Sequence, residues 1–410
     1  MTTTADVSGT PLSPVFPTRY REAEARSARI ARPLKLVGGV REVDEDLMAR
    51  LGAGFLLCDE VGDRLAEAMR MRAGEPGRVS MRDFSTRLDG GPGALADPPP
   101  ALADFFAAVE ATPDWVDHAL IAEGGRVARR LGRNAADVLL QLSLIGGYRF
   151  GGPTDLLVAT GGLTGDMTRR RIAETQKWSV AIMQPDALLP YAEGWRLTVH
   201  VRAMHALVNR AFTESWDVER WGLPINQTDQ AATLGLFDGV LLLGSRALGV
   251  PITRAESHAV MHLWKYVGWL MGVDDQWLVD SERERHRLNY HVVRAQADIT
   301  AAGPELAQAI MATVGALPYG RFRRERTLSM LTAFLGVRSM RELGLPVRLP
   351  WATVTAIAAN TVRYRVLHRG EAGKRRLERW GDRVAQRVLH DYYGDAEQDV
   401  GALDTPTRGR

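Results

Sequence analysis

Two histidines five residues apart, His200 and His205, lie in a stretch, Trp195–Phe212, whose apolar residues recur at helical spacing. An imidazole that such a helix turns toward an apolar layer has two uses. It can serve as the axial ligand of a haem iron, which needs a histidine on a helix that also offers apolar surface to the porphyrin. It can equally be a core histidine bonded to a backbone carbonyl. His205 shares its face with Thr198, Val201, Val208 and Phe212, and His200 shares its own with Arg196, Leu197, Ala203, Met204 and Leu207. Periodicity chooses neither between the two histidines nor between the two uses.

Other side chains could complete such a site. Arg171 and Thr175 are four apart on a helical stretch and so point to one face. A buried arginine there must find an anion, such as a haem propionate or an ordinary carboxylate, or several carbonyls. Arg202 and Arg210, on either side of His205, invite the same readings. His258 and His262, at i and i+4 with Glu256 just before them, have a spacing that grips metals, or they pack a helix beside Trp264 and Trp269. No Glu-x-x-His pair and no H-E-x-x-H occurs, which argues against a di-iron bundle and a zincin. Neither a G-x-S-x-G elbow nor a phosphate-binding G-x-x-x-x-G-K-[ST] loop is present.

The elements that must position these residues are helices. Apolar periodicity predicts them over Val43–Leu57, Val61–Met71, Trp115–Leu131, Ala135–Leu144, Arg170–Met183, Trp195–Phe212, Asp229–Leu248, Arg254–Met271, Pro304–Val314, Arg324–Leu335 and Trp351–His368. Asp114 is the expected cap of the third, and Pro304 suits a first turn. Strand signals are few, so the fold class is all-α. The segment Gly146–Asp166 carries seven glycines, enough for close backbone approach or a sharp crossing between helices. Residues 1–14 and 396–410 have no apolar period and read as mobile tails around one packed domain, 15–395.

Composition narrows the class. The chain of 410 residues is 45% hydrophobic and 25% charged, as expected of a globular protein. Its pI of about 9.1 comes with a net charge of only +3, lysine at just 35, 177, 265 and 374, and acids interleaved throughout, which is no nucleic-acid footprint. Cys58 is the single cysteine, so a disulfide and a cysteine-based metal centre are both excluded. The polar N-terminal stretch lacks the core of a secretory signal, and the most apolar run, from Leu234, is broken by Asp238 and Arg246 and too short to span a bilayer. A cytoplasmic protein with no transmembrane segment is expected, as a monomer or weak homo-oligomer.

Five segments, in this order and spacing, carry a resemblance: TPDWVD from Thr112, TGGLTGDMTRRRIAET from Thr160, VHVRAMHALVNR from Val199, GLPINQTDQAATLGLF from Gly222 and HLWKYVGWLMGVDD from His262. Together they resemble the rubber oxygenase (latex clearing protein) and MpaB-like family of haem proteins. The resemblance implies a single large helical domain with a b-type haem (heme b) sandwiched between helices in globin-like fashion. It implies that the iron is bound by one proximal histidine, that of an R-x-x-H-A-x-V motif, which here is His205. It places Arg171 and Thr175 in the haem pocket, with Arg202 a further candidate to balance charge, and dioxygen as co-substrate opposite His205.

Two departures qualify this. The family's lysine before the threonine, able to cap the distal iron face, is Glu174 here. Its catalytic glutamate sixteen residues before the arginine is Asp155, a carboxylate set back by about 1.5 Å. Asp155 is thus either the distal base or the cap of the turn after Gly-Gly-Pro-Thr. The expectation is a haem b-dependent oxygenase acting on a small hydrophobic, alkene- or terpenoid-like substrate, with Asp155, Arg171 and Thr175 at the reaction centre. The alternatives are a non-catalytic haem-binding sensor or carrier, and a haem-free helical protein with an apolar ligand site.

Overall fold

The computed structural model describes residues 15–161, 165–367 and 369–394, with the backbone alone at 165 and 166, so both expected tails lie outside the described residues. Within them every regular element is a helix. The largest apolar cluster gathers Phe84, Phe105, Phe106, Trp195, Trp264 and Trp277, and nearly every side of the Arg254–Leu270 helix is buried in it. That helix begins with a capping box in which the Thr253 hydroxyl accepts from Glu256 N and the Glu256 carboxylate accepts from Thr253 N. It packs tightly against His118–Leu131. A Cβ on Gly124 would stand 2.3 Å from the Ala259 carbonyl oxygen, so only glycine permits this approach.

Most periodic segments are helical as expected, with instructive shifts. The helix expected to start after Asp114 is capped by Asp117, whose side chain accepts from Ala119 N and Leu120 N. The segment expected as one helix, Asp229–Leu248, is two: Gln227–Phe237 and Gly239–Ala247. The break is at Asp238, buried completely, where φ is −104° and ψ is −86°. Its carboxylate accepts from Gly239 N, opening the second helix, and from Arg285 Nε at 2.7 Å. A buried ion pair with a partner distant in sequence outweighs a continuous apolar period. The Ala135–Leu144 helix is Arg133–Val138 continued by a π-helical stretch, Leu139–Ile145.

Several helices fall outside the expected segments, among them Met81–Gly90 and Pro100–Glu110. Glu282–Ala295 is rich in arginine and histidine yet buries Arg285, His286 and His291, and Gly370–Tyr393 rests on Leu377, Leu389 and Tyr392. The expectation that everything between the tails is packed fails most clearly at one long helix. Trp351–Val362 buries only Ala352 and Asn360, and turns its larger apolar side chains outward.

Arg285 and Asp238 are both fully buried, so removing one leaves an uncompensated charge in the core. Arg285→Met is expected to lower the unfolding free energy by about 3–5 kcal/mol at neutral pH. Urea melts of this variant and of Asp238→Asn with Arg285→Met check it, the double variant recovering part of the loss. An unchanged midpoint in the single variant would contradict the role given to the pair.

Candidate functional site

The helix that carries both candidate histidines, Glu193–Phe212, packs on Glu60–Arg70 through small residues. A Cβ on Gly62 would be 3.1 Å from Ala206 Cβ and 2.4 Å from Asp59 Oδ2. One turn before His205, the Arg202 guanidinium grips Asp59 with both arms, Nε to Oδ2 at 2.6 Å and Nη2 to Oδ1 at 2.7 Å, and Nη1 donates to the Leu270 carbonyl at 3.4 Å. Arg202 was expected to balance cofactor charge. Here it is paired with Asp59, a contact that ties the His205 helix to the segment before Glu60–Arg70.

His205 stands at the border of two sectors. On one side, Leu197, Val201, Met204, Val208 and Phe212 form a half-buried apolar stripe at helical spacing. On the other, Arg202, Asn209, Asp59, Asp63 and Gln230 line, with Cys58 and Met271, a small polar pocket of about 10 Å³. The imidazole Nδ1 is buried and has no hydrogen-bond partner among the described residues. Burial lowers the His205 pKa to about 4, against the opposing pull of Asp59. The ring is therefore neutral at physiological pH, the state in which its nitrogen lone pair can bind a metal. His200, by contrast, is already engaged.

The polar pocket has room for about one water and cannot be where a macrocycle lies. The apolar stripe is the surface that suits one. The helix opposite supports this. Gly165–Ile182 packs antiparallel to Glu193–Phe212 where the two meet: a Cβ on Gly194 would stand 2.9 Å from Ile182 Cα, and four residues back Trp178 Nε1 donates to Thr198 Oγ1 at 3.0 Å. Arg171, Glu174 and Thr175 are carried by the same helix. Half-buried Arg171 donates to Thr160 Oγ1 at 2.9 Å and makes no ion pair among the described residues. Burial lowers its pKa, offset by Glu174 and Tyr148. A cation so placed suits the carboxylate edge of a haem. Thr175 is exposed, and Glu174 is salt-bridged to Arg170 at 2.8 Å. The donor set thus fits a haem with one protein ligand.

Asp155 is in the first turn of Pro153–Ala159, a helix within the glycine-rich segment. Its Oδ2 accepts from Gly152 N at 2.9 Å, Thr300 Oγ1 at 3.1 Å and Thr154 Oγ1 at 3.2 Å. It therefore caps this helix, whose far end is bound to Arg171 through Thr160. His258 and His262 are structural. His262 Nε2 accepts from Asp117 N at 2.9 Å with Trp115 edge-on to its ring, and His258 lies by the Asp280 carbonyl. Arg210 pairs at the surface with Glu67 and Asp63.

Residues 129–369 match the family model of the ER-bound oxygenase mpaB/B'/Rubber oxygenase catalytic domain. The chain belongs to that family. The region matched is an oxygenase catalytic domain, and it runs well past the segments that carried the resemblance, while TPDWVD lies outside it. The rubber oxygenase of Streptomyces sp. (strain K30) is 24% identical over 280 residues, 65% of this chain and 65% of that protein. The alignment thus spans a little under two thirds of this relative. A structure of Latex Clearing Protein LCP in the closed state shares the fold with a TM-score of 0.60 at 20% identity, covering 92% of this chain and 96% of that one. Around His205 lie Asp59, Asp63, Asn209 and Gln230, none of them a candidate from the sequence. Only Asn209, one turn after His205, could have been found from spacing.

Cys58 lines the same pocket. Burial, aided by Asp63, Asp59 and Glu60, pushes its thiol up to about 11 from an ordinary 9.0. At pH 8 its alkylation by iodoacetamide is expected to be on the order of a hundredfold slower than that of a free thiol, because the thiolate reacts. Mass spectrometry of the intact chain over time measures this, and labelling at the free-thiol rate would contradict the placement.

Proposed function

We propose that this protein is a haem b-dependent oxygenase that holds the iron through His205 and acts on a small hydrophobic, alkene- or terpenoid-like molecule. The observation that carries the proposal is the neutral imidazole of His205 at the edge of a half-buried apolar stripe, beside a packed helix whose Arg171 has no carboxylate partner among the described residues. Bound there, the haem would supply a redox-active iron able to activate dioxygen. His205 offers a nitrogen lone pair, and its polar neighbours on the Nδ1 side are held by the Arg202–Asp59 pair. Arg171 neutralises an anionic edge of the cofactor, and Val201, Met204, Val208 and Phe212 give an apolar substrate a dry face. Thr175 is proposed to line the same space. Asp155 is proposed as the proton acceptor, using Oδ1, the oxygen not taken up by the cap.

The three donors on Asp155 Oδ2 favour a second reading, a haem-binding sensor or carrier in which this carboxylate only caps. One set of measurements separates the readings. The purified chain is expected to show a Soret band and to consume oxygen when given an alkene substrate. Asp155→Asn should keep the Soret band and the cap, since asparagine caps almost as well, but lower the oxygen consumption rate by about 10²–10⁴-fold, the usual contribution of a positioned base. Unaltered turnover would leave Asp155 a cap. A haem-loaded protein that consumes no oxygen with any alkene would favour the carrier, and a chain without a Soret band after addition of hemin would end the proposal.

A further inference from the structure

The Trp351–Val362 helix is amphipathic in the wrong sense for a core helix. The side facing the protein is narrow and small or polar. Ala352 N donates to Ser329 Oγ at 3.0 Å, and buried Asn360 donates to Asn134 Oδ1 at 2.7 Å and to the Leu248 carbonyl at 2.8 Å. The side facing solvent carries the large residues. Val354 is 61% exposed, Leu349 just before the helix 82%, and Phe322, whose ring neighbours that of Trp351 at 6.0 Å, 60%. Ile357 and Val362 continue this exposed face along the helix, and Val366 and Leu367 beyond it. A contiguous exposed apolar patch of this kind marks an interaction surface.

Charge identifies what covers it. From residue 343 to residue 370 there is no acidic residue and there are four arginines, 348, 363, 365 and 369. Arg348 is neutralised by Glu325 at 2.6 Å, and Arg363 lies over the Trp380 ring. Arg365 and Arg369, with Arg321 beside Phe322, are exposed and in no ion pair among the described residues. We propose that this face docks the protein reversibly on an anionic lipid surface, with the aliphatic and aromatic side chains entering the headgroup boundary and the arginines binding lipid phosphates and carboxylates. The face is an exposed helix with Phe322 of a neighbouring helix at its edge, which a fluid apolar phase covers without needing a matching groove. A twofold contact between two copies would set these arginines against one another, with no acid in the stretch to offset them. Interfacial helices bind by this combination of apolar area and electrostatic attraction. No helix among the described residues is long and apolar enough to cross a membrane, so the docking is peripheral. The inference is independent of the oxygen chemistry proposed above.

The test is co-sedimentation of the full chain with phosphatidylcholine vesicles, with and without phosphatidylserine, over a range of salt. Binding is expected to the mixed vesicles only and to weaken with salt. Leu349→Ser with Val354→Ser, and separately Arg321→Gln with Arg365→Gln, should each weaken it about tenfold or more. All four positions are exposed, so circular dichroism and the melting temperature should be unaltered. The proposal is overturned if the wild-type chain does not sediment with mixed vesicles, if it binds both compositions equally, or if neither variant weakens binding. It is also overturned if the substitutions instead abolish a self-association seen without lipid, which would make the face a contact between copies.

Discussion

The Arg202–Asp59 ion pair is the constraint on which the site depends. It joins the start of the Glu60–Arg70 helix to the His205 helix and, through the Leu270 carbonyl, to the end of the most buried helix in the molecule. Gly272 admits it: a Cβ there would lie 2.6 Å from Asp59 Oδ2 and 2.8 Å from Arg202 Nε. Three elements therefore meet on one guanidinium, one turn from His205. A nearly buried pair of this geometry is costly to break because the partner left behind is a charge without solvent. Its value lies in holding the imidazole at a fixed height and rotation between an apolar and a polar sector.

A second buried arginine underlies the glycine-rich segment. Arg19, fully buried, donates to Asp229 Oδ2 at 2.6 Å and stacks over Phe55 at 3.9 Å. Its Nη1 presses against Gly152, where φ is +95° and a Cβ would stand 1.7 Å away. The glycine-rich segment thus turns where an N-terminal arginine passes beneath it. The helix that follows begins with Asp155 as its cap and ends at Thr160, the partner of Arg171. Both arginines on which the site is built reach partners far away in the sequence.

That separation explains what could be read in advance. The helix with His205 and that with Arg171 follow from local periodicity, since every residue needed to recognise them lies within a few turns. The capping role of Asp155 was also legible, because Gly-Gly-Pro-Thr-Asp is a local signal. The break at Asp238 was not, as its cause is Arg285 on another helix, and neither was the pairing of Arg202 with Asp59, which lies in a different segment. The outward face of Trp351–Val362 has the same origin. Apolar composition predicts burial, and it took Asn360 and Ala352 as the inward residues to reverse the orientation.

The central claim is that the His205 imidazole is the protein's single ligand to a haem iron, and replacing the ring with a free one tests it most directly. His205→Gly, prepared as the full chain, is titrated with hemin in the absence and presence of imidazole, beside His200→Gly. The account predicts that His205→Gly gives the wild-type absorption and ferrous resonance Raman signature only when imidazole is added, and that His200→Gly gives it without. Wild-type spectra from His205→Gly in the absence of imidazole would contradict it.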